Sequence, residues 1–376
     1  MINVQRLSRY FLDLAHIESP SRKEGRVAAY LVEQFQALGA KCLFDDSAPH
    51  TGSETGNLVV KWPADSENAL LFMAGHMDTV EPTQNPRITL QNGIFRSDGR
   101  TICGADDKSA LAIFLEILHA LQDRGLRIPL EFVITTCEEI GLLGAKHLDF
   151  SLVSAPFGYA LDSEDPDELI LRAPEAIRLQ IKVMGLAAHA GLNPEEGINA
   201  IQVAARGLVR VPLGRIDAET TANIGVIKGG VATNIVPEEV ILNGEIRSHD
   251  HQKLEAQWKR MVEAFESATS EKVKDDLPKV VFSREQDYPL MKVPEEHELV
   301  RLALEAARKL GRTLRLTSTG GGSDANIFNG RGLPCAIYGT GMRRVHSTEE
   351  YLPLDDLIRA AELSLQIVLE AGNEAR

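Results

Sequence analysis

The sequence predicts an α/β protein in two parts, a layered α/β body and a ferredoxin-like α+β domain inserted into it. Three observations carry this. Short apolar runs alternate with longer helical periodicities, the pattern of a layered α/β fold. Near residue 175 the pattern changes to the order β-α-β-β-α-β, which is the ferredoxin-like arrangement. The length of 376 residues suits about two domains.

The elements follow in order. Residues 3–15 and 24–38 read as helices, the second stopped by Gly39. Residues 57–62 and 69–74 read as strands. The clearest helix spans 106–125, with Ala110, Phe114, Ile117, Leu118 and Leu121 on one apolar face and Gly125 closing it. Residues 129–136 and 157–161 are buried strands. The inserted part begins with an alternating strand at 175–184. A helix at 194–208 follows, with Pro194 suited to its first turn. Then come strands at 220–228 and 238–248, a helix at 250–268 and a strand at 278–284. After about residue 288 the alternating pattern returns. The expected division is therefore 1–174 with 286–376 as one domain and 175–285 as the insertion.

Composition narrows the function. Hydrophobic residues make up 44% and charged residues 25%, as in ordinary globular proteins. A net charge of −14, from 40 basic and 54 acidic residues, argues against nucleic acid or anionic membrane as the main partner. No stretch approaches the roughly 18 apolar residues of a membrane span. The first twenty residues carry Arg6, Arg9, Asp13 and Glu18 and lack the apolar core of a signal peptide. The cysteines, Cys42, Cys103, Cys137 and Cys335, fit neither a zinc knuckle nor a disulfide framework. Free thiols in a reducing cytoplasm are expected.

Five polar clusters sit at element ends. His76-x-Asp78 follows one strand, Glu138-Glu139 another, and Asp162 a third. Asp106-Asp107 opens the long helix, and His346 comes shortly after the run 335–338. In open α/β sheets, sites form beyond the carboxyl ends of the strands, so these groups can converge. Each has a plainer reading when taken alone. Asp106 suits a helix N-cap, and a Glu-Glu pair is usually solvated surface. The joint pattern is what points to a metal. Imidazoles and carboxylates suit zinc without any thiolate. Two His with three carboxylates can hold two ions if one carboxylate bridges. Such a pair can polarise a carbonyl and activate a water, and a carboxylate that is not itself a ligand can act as base.

The segments Ala74-Gly-His-Met-Asp78, Gly104-Ala-Asp-Asp-Lys108 and Thr136-Cys-Glu-Glu-Ile-Gly141, with His346, resemble the di-zinc peptidase family. That family includes peptidase T, carboxypeptidase G, aminoacylase and succinyl-diaminopimelate desuccinylase. The resemblance covers essentially the whole chain. It is nearest the peptidase T-like branch, through Gly-Ala-Asp-Asp-Lys and Gly229-Gly-Val-Ala-Thr-Asn-Ile-Val-Pro237. It implies a zinc-peptidase-like catalytic domain, a mixed sheet flanked by helices, and an inserted domain that dimerises. His76 and Asp162 would hold one zinc, and Glu139 and His346 the other. Asp106 would bridge them, with a cis bond to Asp107. Asp78 would orient His76, and Glu138 would be the base. Manganese or cobalt are the alternative metals.

His189 lies in Gly185-Leu-Ala-Ala-His-Ala-Gly191. The resemblance implies that it reaches an active site, often the partner subunit's, and stabilises the oxyanion. Asn234 and Arg247 match positions that bind a substrate carboxylate, which a guanidinium fork suits. The backbone N–H groups of Thr319-Gly-Gly-Gly-Ser-Asp324 can hold an anion, and the Walker ending is missing. Some peptidase T relatives carry Arg where this chain has Gly320. The expected activity is metal-dependent hydrolysis of small peptides, as a cytoplasmic homodimer. The rivals are N-acyl amino acid hydrolysis or carboxypeptidase action by the same machinery, and a metal-stabilised binding protein. The intact Glu138 counts against the last.

Overall fold

The computed structural model describes residues 1–66 and 68–375. The chain divides into two compact units. One comprises residues 1–172, 291–319 and 323–376; the other comprises 173–290 with 320–322.

The first unit is built on a mixed sheet with helices around it. Strand order is Lys41–Phe44, Leu58–Trp62, Leu130–Thr135, Leu71–His76, Gly158–Ala160, Cys335–Tyr338, Glu168–Ala173 and Met291–Lys292, with Arg315–Ser318 beside Glu168–Ala173. The strands Leu130–Thr135, Leu71–His76, Gly158–Ala160 and Cys335–Tyr338 run parallel. Being covered on both faces, such strands are buried residue after residue rather than in alternation. The residues of Leu130–Thr135 and Leu71–His76 are accordingly all buried. Their carboxyl ends all point the same way, which gives the polar clusters a common meeting place.

The helix Ala105–Gln122 is buried along almost its whole length. Phe114 stacks on Phe132 at 4.7 Å, and Phe132 on Phe35 at 5.5 Å, so one aromatic column ties two helices to the sheet. Burying each ring stabilises the fold by about 1.5–3 kcal/mol. Glu116 is fully buried on the same helix. It is satisfied by Arg6 Nε at 2.6 Å and by the N–H of Asn3 at 2.7 Å. No helix among the described residues is long and apolar enough to cross a membrane.

The second unit is an antiparallel sheet in the order Gly214–Arg215, Thr220–Gly229, Glu239–Ser248, Glu175–Met184, Lys279–Tyr288. With the helices Ala200–Leu208 and His251–Ala268, and apart from the two-residue strand Gly214–Arg215, it has the β-α-β-β-α-β order. Alternation in Glu175–Met184 sends Ile177, Leu179, Ile181 and Val183 into a core with Val203, Met261 and Phe265. The predicted helix at 194–208 is shorter than expected. Pro194–Glu196 is a separate 3-10 turn, Gly197 is extended, and Asn199 caps a new start at Ala200 through the N–H of Gln202. Beyond the short pairing at Thr221 and Ala222, no described strand adds to the outer side of Thr220–Gly229, where Val226 and Ile227 are exposed.

Candidate active site

His76 is the last residue of its strand and is buried. Its Nδ1 donates to the backbone carbonyl of Asp78 at 2.9 Å, which leaves Nε2 directed at Asp106 Oδ1, 3.1 Å away. Asp106 and Asp107 have non-helical dihedrals at the head of the long helix, and the peptide between them is cis. Asp106 is buried there. Its second oxygen lies 3.3 Å from His346 Nε2, and the same nitrogen is 3.0 Å from Glu139 Oε2. One carboxylate thus addresses two imidazoles, one with each oxygen.

The carboxylate of Asp78 is 3.6 Å from His76 Nδ1. Its closer contacts are to the turn after the neighbouring strand. Oδ1 accepts the N–H of Glu138 at 2.9 Å, and Oδ2 accepts the N–H of Glu139 at 3.2 Å and the Ser21 hydroxyl at 2.6 Å. Asp78 therefore holds His76 through its carbonyl and the Glu138-Glu139 turn through its carboxylate.

The electrostatics follow from crowding of acids. Burial pushes the Glu138 carboxyl well above the usual range, and the charges of Asp162, Asp324 and Glu139 add to this while His76 opposes it. Asp162 is raised to about 7 by burial and by the charge of Asp106. Burial also opposes ionisation of Asp106, but its bonds to His346 and His76 outweigh this and hold it below its ordinary value. His346 is raised to about 10 by its bonds to Asp106 and Glu139. Such a place favours positive charge.

The donor set fits a metal. One ligand atom each from His76, Asp106 and Glu139 lies within 4.8 Å of the others. Glu139 Oε1 is buried with no hydrogen-bond partner, and such an orphaned oxygen needs a cation or a donor. His346 joins this group through Asp106 and Glu139, and Asp162 joins it electrostatically.

The site also holds residues outside the predicted set. Glu350 is buried and accepts the N–H of Gly104 at 2.7 Å and of Asp106 at 3.0 Å. Asp324 opens a short helix after the glycine-rich stretch, accepts the Thr135 hydroxyl, and has its other oxygen buried without a partner. Thr135 pairs with His76 across the two strands. Asp324 has the helix-start signature that singled out Asp106, and that signal was available.

The remaining predicted residues lie in the second unit. His189 Nδ1 accepts the N–H groups of Gly191 and Leu192, both at 3.1 Å. A neutral ring bonded in this way keeps its proton on Nε2, which is then a donor. Asn234 is exposed, and its carbonyl accepts the N–H of Ala190 beside His189 at 2.9 Å. Arg247 is bidentate to Glu245 at 3.0 and 3.1 Å, and its Nη1 lies 3.4 Å from the carbonyl of Gly320.

Residues 72–370 match peptidase family M20/M25/M40. The chain belongs to that family. Among its relatives is the uncharacterised protein YqjE of Bacillus subtilis, 39% identical over 99% of this chain and 100% of that one. Aminopeptidase PepT of Bacillus cereus is 38% identical, with a TM-score of 0.91, covering 98% of this chain and 99% of that one. A tripeptidase of Staphylococcus aureus is 40% identical, with a TM-score of 0.92 and 99% of each chain covered. These likenesses agree with the peptidase T-like branch that the motifs indicate.

Proposed function

We propose that this chain is a metallo-aminopeptidase that hydrolyses the peptide bonds of small peptides at a pair of metal ions. The observation that carries the reading is the carboxylate of Asp106, 3.1 Å from one imidazole and 3.3 Å from another. Side chains so arranged suit a bridging ligand. His76 and Asp162 would complete one position, Glu139 and His346 the other. Imidazole and carboxylate donors favour zinc, with manganese or cobalt as substitutes.

When bound, the ions supply Lewis-acid polarisation and a readily ionised water. The protein does the rest. Glu138 is carried on the turn that Asp78 fixes, and it takes a proton at its carboxylate and returns it to the leaving amine. His189, with its proton on Nε2, donates to the oxyanion. Arg247 and Asn234 hold the substrate carboxylate.

The second unit is proposed as the dimerisation domain. The support is the outer edge of Thr220–Gly229, with exposed Val226 and Ile227, because open apolar edges are normally paired or covered. The four cysteines are free, which suits a reducing cytoplasm.

The test is a panel of tripeptides, dipeptides and N-acyl amino acids on protein reconstituted with zinc, manganese or cobalt. Tripeptides and dipeptides with a free amino terminus should be cleaved fastest. Preferred cleavage of N-acyl amino acids would move the enzyme to amidohydrolase chemistry. No turnover with any metal would overturn the reading.

A further inference from the structure

Residues 19–24 precede the stretch that matches the family, 72–370, yet they touch two of the segments that build the site. The carbonyl of Ser19 accepts the N–H of Thr79 at 2.9 Å, and Ser21 donates to Asp78 at 2.6 Å. Glu24 is fully buried. Its Oε1 accepts the N–H of Cys137 at 3.0 Å and the Cys137 thiol at 3.3 Å. It also accepts the N–H of Arg22 at 2.9 Å, while Oε2 accepts the Ser53 hydroxyl at 2.5 Å.

Asp78 takes the N–H groups of Glu138 and Glu139. Two buried carboxylates therefore hold three successive N–H groups, those of Cys137, Glu138 and Glu139. Cys137 has φ of +53°, a left-handed conformation that residues with a Cβ seldom adopt. Something outside the turn has to hold the peptide there, and Glu24 does so from both the backbone and the thiol side of Cys137.

We propose that Glu24 is a positioning residue that fixes the Cys137 peptide and so aims Glu138 at its proton. This rests on Glu138 being the base. The residues adjoin, so any rotation of the Cys137 peptide swings the Glu138 side chain. A base misplaced by about 1 Å costs on the order of a hundredfold in rate.

The experiment compares Glu24→Ala with Glu24→Gln on metal-loaded protein, using a cleaved peptide of the panel. Glu24→Ala should lower kcat about tenfold to a hundredfold, leaving KM and metal content near wild type. In the same variant Cys137 should become labelled by a thiol reagent in the native protein, because its partner is gone. Glu24→Gln should restore most of the rate. Its amide oxygen can accept from Cys137, and its NH2 group can donate to Ser53. If Glu24→Ala does not fold, Glu24→Asp replaces it. That side chain is one methylene short of Cys137 and should show the same kcat loss. An alanine variant with wild-type kcat and an unreactive Cys137 overturns the proposal, as does a glutamine variant as impaired as alanine. Glu138→Ala is run alongside. If it retains turnover, the assignment of the base is wrong. If it is inactive while Glu24→Ala runs at full rate, only the role of Glu24 is wrong.

Discussion

Asp106 and Asp162 are both aspartates at element ends, yet their surroundings differ. Asp106 meets an imidazole with each oxygen. Asp162 has no such pair and is raised to about 7 by burial and by the charge of Asp106. Asp106→Ala should therefore weaken both metal positions, and Asp162→Ala mainly one. Competition with a graded chelator measures the stoichiometry, and two tightly held ions in Asp106→Ala would show that the bridge lies elsewhere. Glu138→Ala should keep both ions and lose at least about a hundredfold in turnover, the low end for removal of a general base. Elemental analysis paired with kcat decides it. At this scale the sequence was legible where a polar residue ended or closely followed a strand or opened a helix, as with His76, Glu139 and Asp106, whose ligand atoms lie within 4.8 Å of one another. It was silent on Glu24 and Glu350. A lone carboxylate that accepts backbone N–H groups from distant segments leaves no spacing to read, because a main-chain donor has no residue type of its own.

Elements place these side chains through contacts that local pattern does not encode. The parallel strands were legible as apolar runs, since burial on both faces removes alternation. The helical pattern of 194–208 is interrupted at Gly197 and Asn199, and Asn199 is the N-cap of the helix that forms. The segment 343–351 is closed by the pairing of Arg343 with Tyr351, and His346 lies on it with φ of +61°. Besides His346, Glu350 ties this segment to the long helix, accepting from Gly104 and Asp106. Glu350→Ala leaves two buried N–H groups without an acceptor, each costing about 1–3 kcal/mol. The metal-free variant should unfold at lower denaturant concentration, and its metal affinity should fall because Asp106 and His346 are both loosened. Denaturation and metal titration of the same preparation test this. A wild-type midpoint together with wild-type affinity would show that Glu350 is not the tie.

For the whole molecule the decisive question is whether the second unit joins two chains. The outer edge of Thr220–Gly229 presents Val226 and Ile227 to solvent, and pairing of that edge with its own copy would be isologous and closed. His189 presents Nε2–H because Gly191 and Leu192 occupy Nδ1, so it is prepared to donate to a group that its own loop does not supply. The prediction is a homodimer in which His189 serves the partner's Glu138. Two inactive variants, Glu138→Ala and His189→Ala, are unfolded together and refolded as a mixture. In a mixed dimer, the chain with intact Glu138 receives His189 from its partner, and one of the two sites works. Random reassortment makes half the dimers mixed, so activity should return to about a quarter of wild type. If His189 served its own chain, each site would still lack one of the two groups and the mixture would stay as inactive as its parents. Sedimentation fixes the assembly state of the same samples. A monomer, or verified mixed dimers without activity, would rule out a His189 that acts across the interface, leaving the metal centre and Glu138 untouched.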